Sequence, residues 1–80
     1  MISPAEAEAL AQKMMQDYVK ACDCATTGDV ANALMKLVSM CGLGMCATVG
    51  QPDAVARLQA TTDYIAKAQA GKNWKKETIQ

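Results

Sequence analysis

Eighty residues, 51% of them apolar and 20% charged, make one small domain of ordinary globular balance rather than a disordered chain. Eight basic and eight acidic side chains cancel, so the chain lacks the basic excess that draws proteins to nucleic acid, and no nucleic-acid partner is expected. With no His and only two serines, Ser3 and Ser39, the commonest general base and metal ligand are missing and no hydrolytic triad can be assembled; no catalytic residue, cofactor or metal site is expected, and the chain does not read as an enzyme.

The N-terminus has neither a basic start nor an early apolar run, so it does not read as a secretory signal. Four cysteines in such a chain are below the density of a disulfide scaffold, and the expected compartment is the cytoplasm, where thiols stay reduced.

The first helix is predicted over about residues 4–23. Ser3 can cap it, Pro4 suits its first position, and Glu6 can bond back to the Ser3 amide. Ala7, Ala11, Met14, Tyr18 and Ala21 recur at steps of four and three, widened by Leu10, Met15, Val19 and Cys22, while Lys13, Gln16, Asp17 and Lys20 take the opposite side. Cys24 to Asp29 breaks the pattern. Thr26 or Thr27 can cap a second helix over about 28–49, with Asp29 in its first turn.

That second helix dominates the chain. From Val30 to Val49 it carries one charge, Lys36, and after Ser39 almost no polar side chain until Thr48. A helix apolar on every side must be covered on every side, and a chain of eighty residues has few neighbours to offer. Gly42 and Gly44 each cost up to about 1 kcal/mol inside a helix relative to Ala, so they need a reason. Close approach of another backbone is one. Ser39, Gly42 and Cys46 form a small-residue track at steps of three and four, extended by Met35 and Val49, with Met40, Leu43 and Met45 projecting beside it. The expected association surface is therefore Met35, Ser39, Met40, Gly42, Leu43, Cys46 and Val49. The same stretch is long enough to span a bilayer, but Asn32 and Lys36 lie inside it and no basic residue closely flanks it, so a membrane is not the expected partner.

Gly50 and Pro52 end the second helix and open a third over about 52–70, with Val55, Leu58, Thr62 and Ile65 as its apolar stripe and Arg57, Asp63 and Lys67 facing outward. Residues 72–80 form a tail holding Trp74 and Ile79. The expected architecture is all-α: one three-helix domain over residues 1–71, up-down-up, oligomeric.

The cysteine spacing argues against a metal site. Five residues of helix turn through about 500°, leaving Cys41 and Cys46 roughly 140° apart, and there is no Cys-x-x-Cys. Small buried hydrophobes are the plainer role for these thiols, with a thiol-based metal or redox protein as the weakest alternative. Tyr18, Arg57, Tyr64 and Lys67 supply rings and cations that could hold a nucleotide-like anion at subunit seams. The leading expectation is a non-enzymatic helical protein that associates with itself and with another protein, as an adaptor or inhibitor of the kind phages and mobile elements encode. The rival is an oligomer that sequesters a small anion.

Overall fold

The computed structural model describes residues 1–72. It contains three helices in these residues and no strand: α1 over Pro4–Ala21, α2 over Thr27–Val49 and α3 over Gln51–Ala68. The fold class is all-α. The expectation that Trp74 docks the tail lies outside the described residues.

Reciprocal caps start the first two helices. The Ser3 hydroxyl accepts from the Glu6 amide at 3.1 Å while the Glu6 carboxylate accepts from the Ser3 amide at 3.2 Å, and Pro4 fills the first helical position, where no N–H is needed. At α2 it is Thr26 that caps. Its hydroxyl accepts from the Asp29 amide at 3.0 Å, and the Asp29 carboxylate accepts from the Ala25 and Thr26 amides at 3.0 and 3.3 Å. Asp29 thus does the work of the usual Glu in such a pair, and its charge sits at the positive end of the helix dipole.

α1 ends two residues before the sequence pattern suggests. Asp23 adopts a left-handed φ of 54°, which a short polar side chain tolerates better than most. The Cys22 and Asp23 amides bond back to Tyr18 and Lys20 carbonyls at 3.0 and 3.2 Å. The apolar periodicity runs on through Cys22, so only the backbone reversal at Asp23 marks the stop.

The chain divides into two compact units, residues 1–35 and, among the described residues, 36–72. In the first, α1 and the start of α2 form a helical hairpin. The Tyr18 hydroxyl donates to the Ala33 carbonyl at 2.7 Å; the two residues stand about equally far from the turn, as antiparallel neighbours must. Val19, Val30 and Leu34 are half-buried there. Outside the hairpin contact, Lys13 and Asp17 pair at 2.9 Å, one turn apart on the exposed side of α1.

In the second unit the rest of α2 and α3 form another hairpin, joined by Gly50 alone. Gly50 has φ 90° and ψ 153°, a region closed to residues with a Cβ. Its amide closes α2 onto the Cys46 carbonyl at 3.1 Å, and its carbonyl opens α3 by accepting from the Ala54 amide at 3.0 Å. Across this turn Leu58 reaches Gly42: a Cβ on Gly42 would lie 3.2 Å from Leu58 Cδ1. Both residues are eight positions from Gly50, the spacing of facing positions in a hairpin. Gly42 and Ala54 are the buried residues among those described.

Two outcomes test this account. Gly50→Ala is expected to cost about 1–3 kcal/mol by urea denaturation, because no L side chain fits that backbone without strain. Ser3→Ala should cost about 1 kcal/mol. The capping contact has a pH signature: bonding to the Ser3 amide and hydroxyl holds the Glu6 carboxyl below its usual value. Its contribution is complete above the normal glutamate range and is lost as pH falls through the depressed value. The protection of the first-turn amides of α1, relative to their intrinsic exchange rates at each pH, should therefore fall on acidification in the parent and already be low at neutral pH in Ser3→Ala.

Candidate association surface

α2 runs unbroken from Thr27 to Val49, so its residues project at fixed steps of about 100°. In the second unit, the side turned to α3 carries buried Gly42 and half-buried Met45 and Cys46. The opposite side carries Lys36, Met40, Leu43, Gly44 and Ala47, all exposed. Met40 and Leu43 stand 58% and 62% open to solvent. A Cβ on Gly44 would meet no heavy atom within 4 Å. In the first unit Met35 is 61% exposed. Only 6% of the most apolar 18-residue window of α2 is buried.

The expected surface thus divides. Met35, Ser39, Met40, Leu43 and Val49 are exposed. Gly42 and Cys46 are not available to a partner in the same way. Gly42 lies under Leu58 of its own chain, so its missing side chain serves the α2–α3 hairpin, and Cys46 is half-buried on that same side of α2. Spacing alone places Gly42 in a small-residue track; it carries no information on which neighbour fills the gap. Gly44 is the converse case. The sequence gives it the same need for a close neighbour as Gly42 but no place in the small-residue track, and the open space around it shows that nothing in its own unit needs it small. Val38 was also missed, and it is exposed. The other helices add scattered apolar exposure: Leu10 and Met14 on α1, Tyr64 and Ile65 on α3.

The four candidate anion contacts are placed as follows. In the first unit the Tyr18 hydroxyl is spent on the Ala33 carbonyl. Burial pushes that phenol above its ordinary value, and the nearby thiol of Cys22 pushes the same way. In the second unit the Arg57 guanidinium pairs with Asp53 at 3.2 Å, while Tyr64 and Lys67 are exposed. Hence Tyr18 and Arg57 are already engaged by neighbours in their own units.

All four cysteines are free thiols. Cys22 caps α1 and is exposed, whereas Cys24 lies beyond the turn and is half-buried. Burial raises the Cys24 thiol above its usual value, and Cys22, Asp29 and Asp23 raise it further; such a thiol is a poor nucleophile at neutral pH. The unbroken α2 keeps Cys41 and Cys46 on different sides. No group of three or more metal-ligating side chains forms among the described residues.

By length and composition α2 is also able to cross a membrane. No family model, curated protein or solved structure matches the chain.

The Gly42–Leu58 contact makes a graded prediction. The clash of a new Cβ would fall on the mobile end of Leu58, so Gly42→Ala is expected to range from neutral to stabilising by about 1 kcal/mol, the helix-propensity gain. Gly42→Leu overfills the hairpin and should cost about 1–3 kcal/mol. Urea midpoints for the two variants decide it; equal tolerance of Ala and Leu would show that Leu58 does not cover this site.

Proposed function

We propose that this chain acts by association rather than by chemistry: a small helical protein that self-assembles through the exposed apolar side of α2 into an oligomeric bundle, and in that form engages another protein as an adaptor or inhibitor. The observation that carries the reading is the exposure of α2. In the second unit its large apolar residues Met40 and Leu43 are each more than half open on the side away from α3, and in the first unit Met35 is as open. Burying a side chain of this size is worth about 1.5–3 kcal/mol. Several of them on one helix give an association energy that a hairpin with so little interior of its own needs for stability. The absence of His from the sequence and the quiet, half-buried Cys24 fit a protein that works by occupying a surface.

A second copy is favoured over a bilayer as the cover. Lys36 sits in the middle of α2, where it costs about 2.5–3.5 kcal/mol in a lipid span, and both flanking helices carry charged, solvated sides with intrahelical ion pairs.

Sedimentation velocity at micromolar concentration is expected to return at least twice the 8.5 kDa chain mass. Replacing Met40 and Leu43 together with Glu should shift the protein to the monomer, because the seam would then bury unpaired carboxylates. Circular dichroism on the same samples should show helical monomers that melt at a lower temperature than the parent. A parent protein that sediments as a monomer throughout this range overturns the reading.

A further inference from the structure

The turn between α2 and α3 is one residue away from being no turn at all. Its two flanking bonds run from the Gly50 amide to the Cys46 carbonyl and from the Ala54 amide to the Gly50 carbonyl. Each joins residues four apart, as the ladder of an α-helix does. α2 is helical through Val49 and α3 from Gln51. Gly50, at φ 90° and ψ 153°, alone departs from the helical path. Were that one residue to turn into the helical region, residues 27–68 would run as a single rod.

Most sequences would gain by such a fusion. It pairs the amides of Gln51 and Asp53 with the carbonyls of Ala47 and Val49, and α3 has no side-chain cap to offer those amides instead. Pro52 is the obstacle. It has no N–H for the Thr48 carbonyl, and inside a helix its ring collides with that same carbonyl. In the first turn of α3, where it now lies, neither problem arises. An interior proline opposes a helix by roughly a hundredfold in such an equilibrium.

We propose that Gly50 and Pro52 form a two-state hinge. Closed, it is the hairpin. Open, α2 and α3 fuse, and their contacts are exchanged with a second copy of the chain. Pro52 is the residue that holds it closed.

The occupant follows from the contact itself. Opening uncovers Gly42 and Ala54, the buried residues among those described. Two antiparallel rods crossing at Gly50 cover them again. Leu58 of each copy then lies over Gly42 of the other, both still eight positions from Gly50 as in the hairpin. The exchanged surfaces are complementary because they already pack within one chain, and each contact occurs twice, as a two-fold arrangement requires. Little holds the closed form against this, since the hairpin has almost no interior of its own. The exchange uses the side of α2 that α3 already covers, so it stands apart from the self-association proposed above.

Double electron–electron resonance reads the hinge directly, in the full chain with the four native cysteines replaced by Ala. Nitroxides are placed at Lys36→Cys and Tyr64→Cys, both exposed and each fourteen positions from Gly50. Refolding the labelled chain in a large excess of unlabelled chain with the same hinge leaves only distances within one copy. The parent hinge is expected to give a single short distance, below about 25 Å, from neighbouring helices. At high micromolar concentration Pro52→Ala should move most pairs to about 42 Å, twenty-eight helical steps. Without the unlabelled excess the short distance should return, now from the exchanged partner. Adding Gly50→Ala, which is strained only in the closed form, should remove the remaining short distance within one copy. A Pro52→Ala chain that keeps only the short distance in the diluted sample overturns the proposal, as does a parent already open. So does a long distance that no short one joins when the excess is left out, since the rod would then form without exchange. None of these results depends on the exposed side of α2, which the Met40 and Leu43 substitutions test separately.

Discussion

A neighbouring helix covers one side of an α-helix and no more, and α2 is apolar around most of its circumference. That mismatch governs everything else in the molecule. α1 meets α2 in one hairpin and α3 meets it in another, yet Met35, Met40, Leu43 and Val49 remain open. The described residues bury only a glycine and an alanine fully. A hairpin held together this thinly has little hydrophobic free energy in reserve, so whatever covers the rest of α2 also contributes to keeping the chain folded. Under the assembly proposed above, association and stability are one equilibrium, linked by mass action.

The local structure makes up part of this deficit at the helix ends rather than in a core. Each of the first two helices begins with a reciprocal side-chain cap, Ser3 with Glu6 and Thr26 with Asp29, and each such cap satisfies amides that would otherwise go unpaired. α3 has no side-chain cap and relies on Gly50, whose backbone serves two helices at once. This economy has a structural consequence: a one-residue connection fixes where the two helices can touch. Because Leu58 is as far after Gly50 as Gly42 is before it, the glycine in the turn and the glycine under Leu58 act together.

Periodicity and capping chemistry make the helices readable in the sequence, because both depend on residues within a few positions of one another. The capping box at Ser3 and the stop at Gly50 are of this kind. The end of α1 was less legible: it depends on one backbone angle at Asp23, while the apolar pattern continues past it through Cys22. The candidate surface was half legible for a related reason. A small residue announces that something approaches closely without naming what approaches. Gly42 and Gly44 look alike in sequence, and only the position of Leu58 tells them apart.

That distinction sharpens what the exposed seam asks of a partner. If both glycines had been filled from within the chain, the apolar stripe beside them would be a smooth row of Met, Leu and Ala that a bilayer or any greasy surface could cover equally well. An unfilled glycine one residue after an exposed leucine is a different kind of surface, because it has shape. It rewards a partner that brings a projecting side chain to the same level. Lipid tails gain nothing from such a notch, and they penalise Lys36. An open notch at Gly44 beside an exposed leucine is therefore what separates this helix from an ordinary apolar segment.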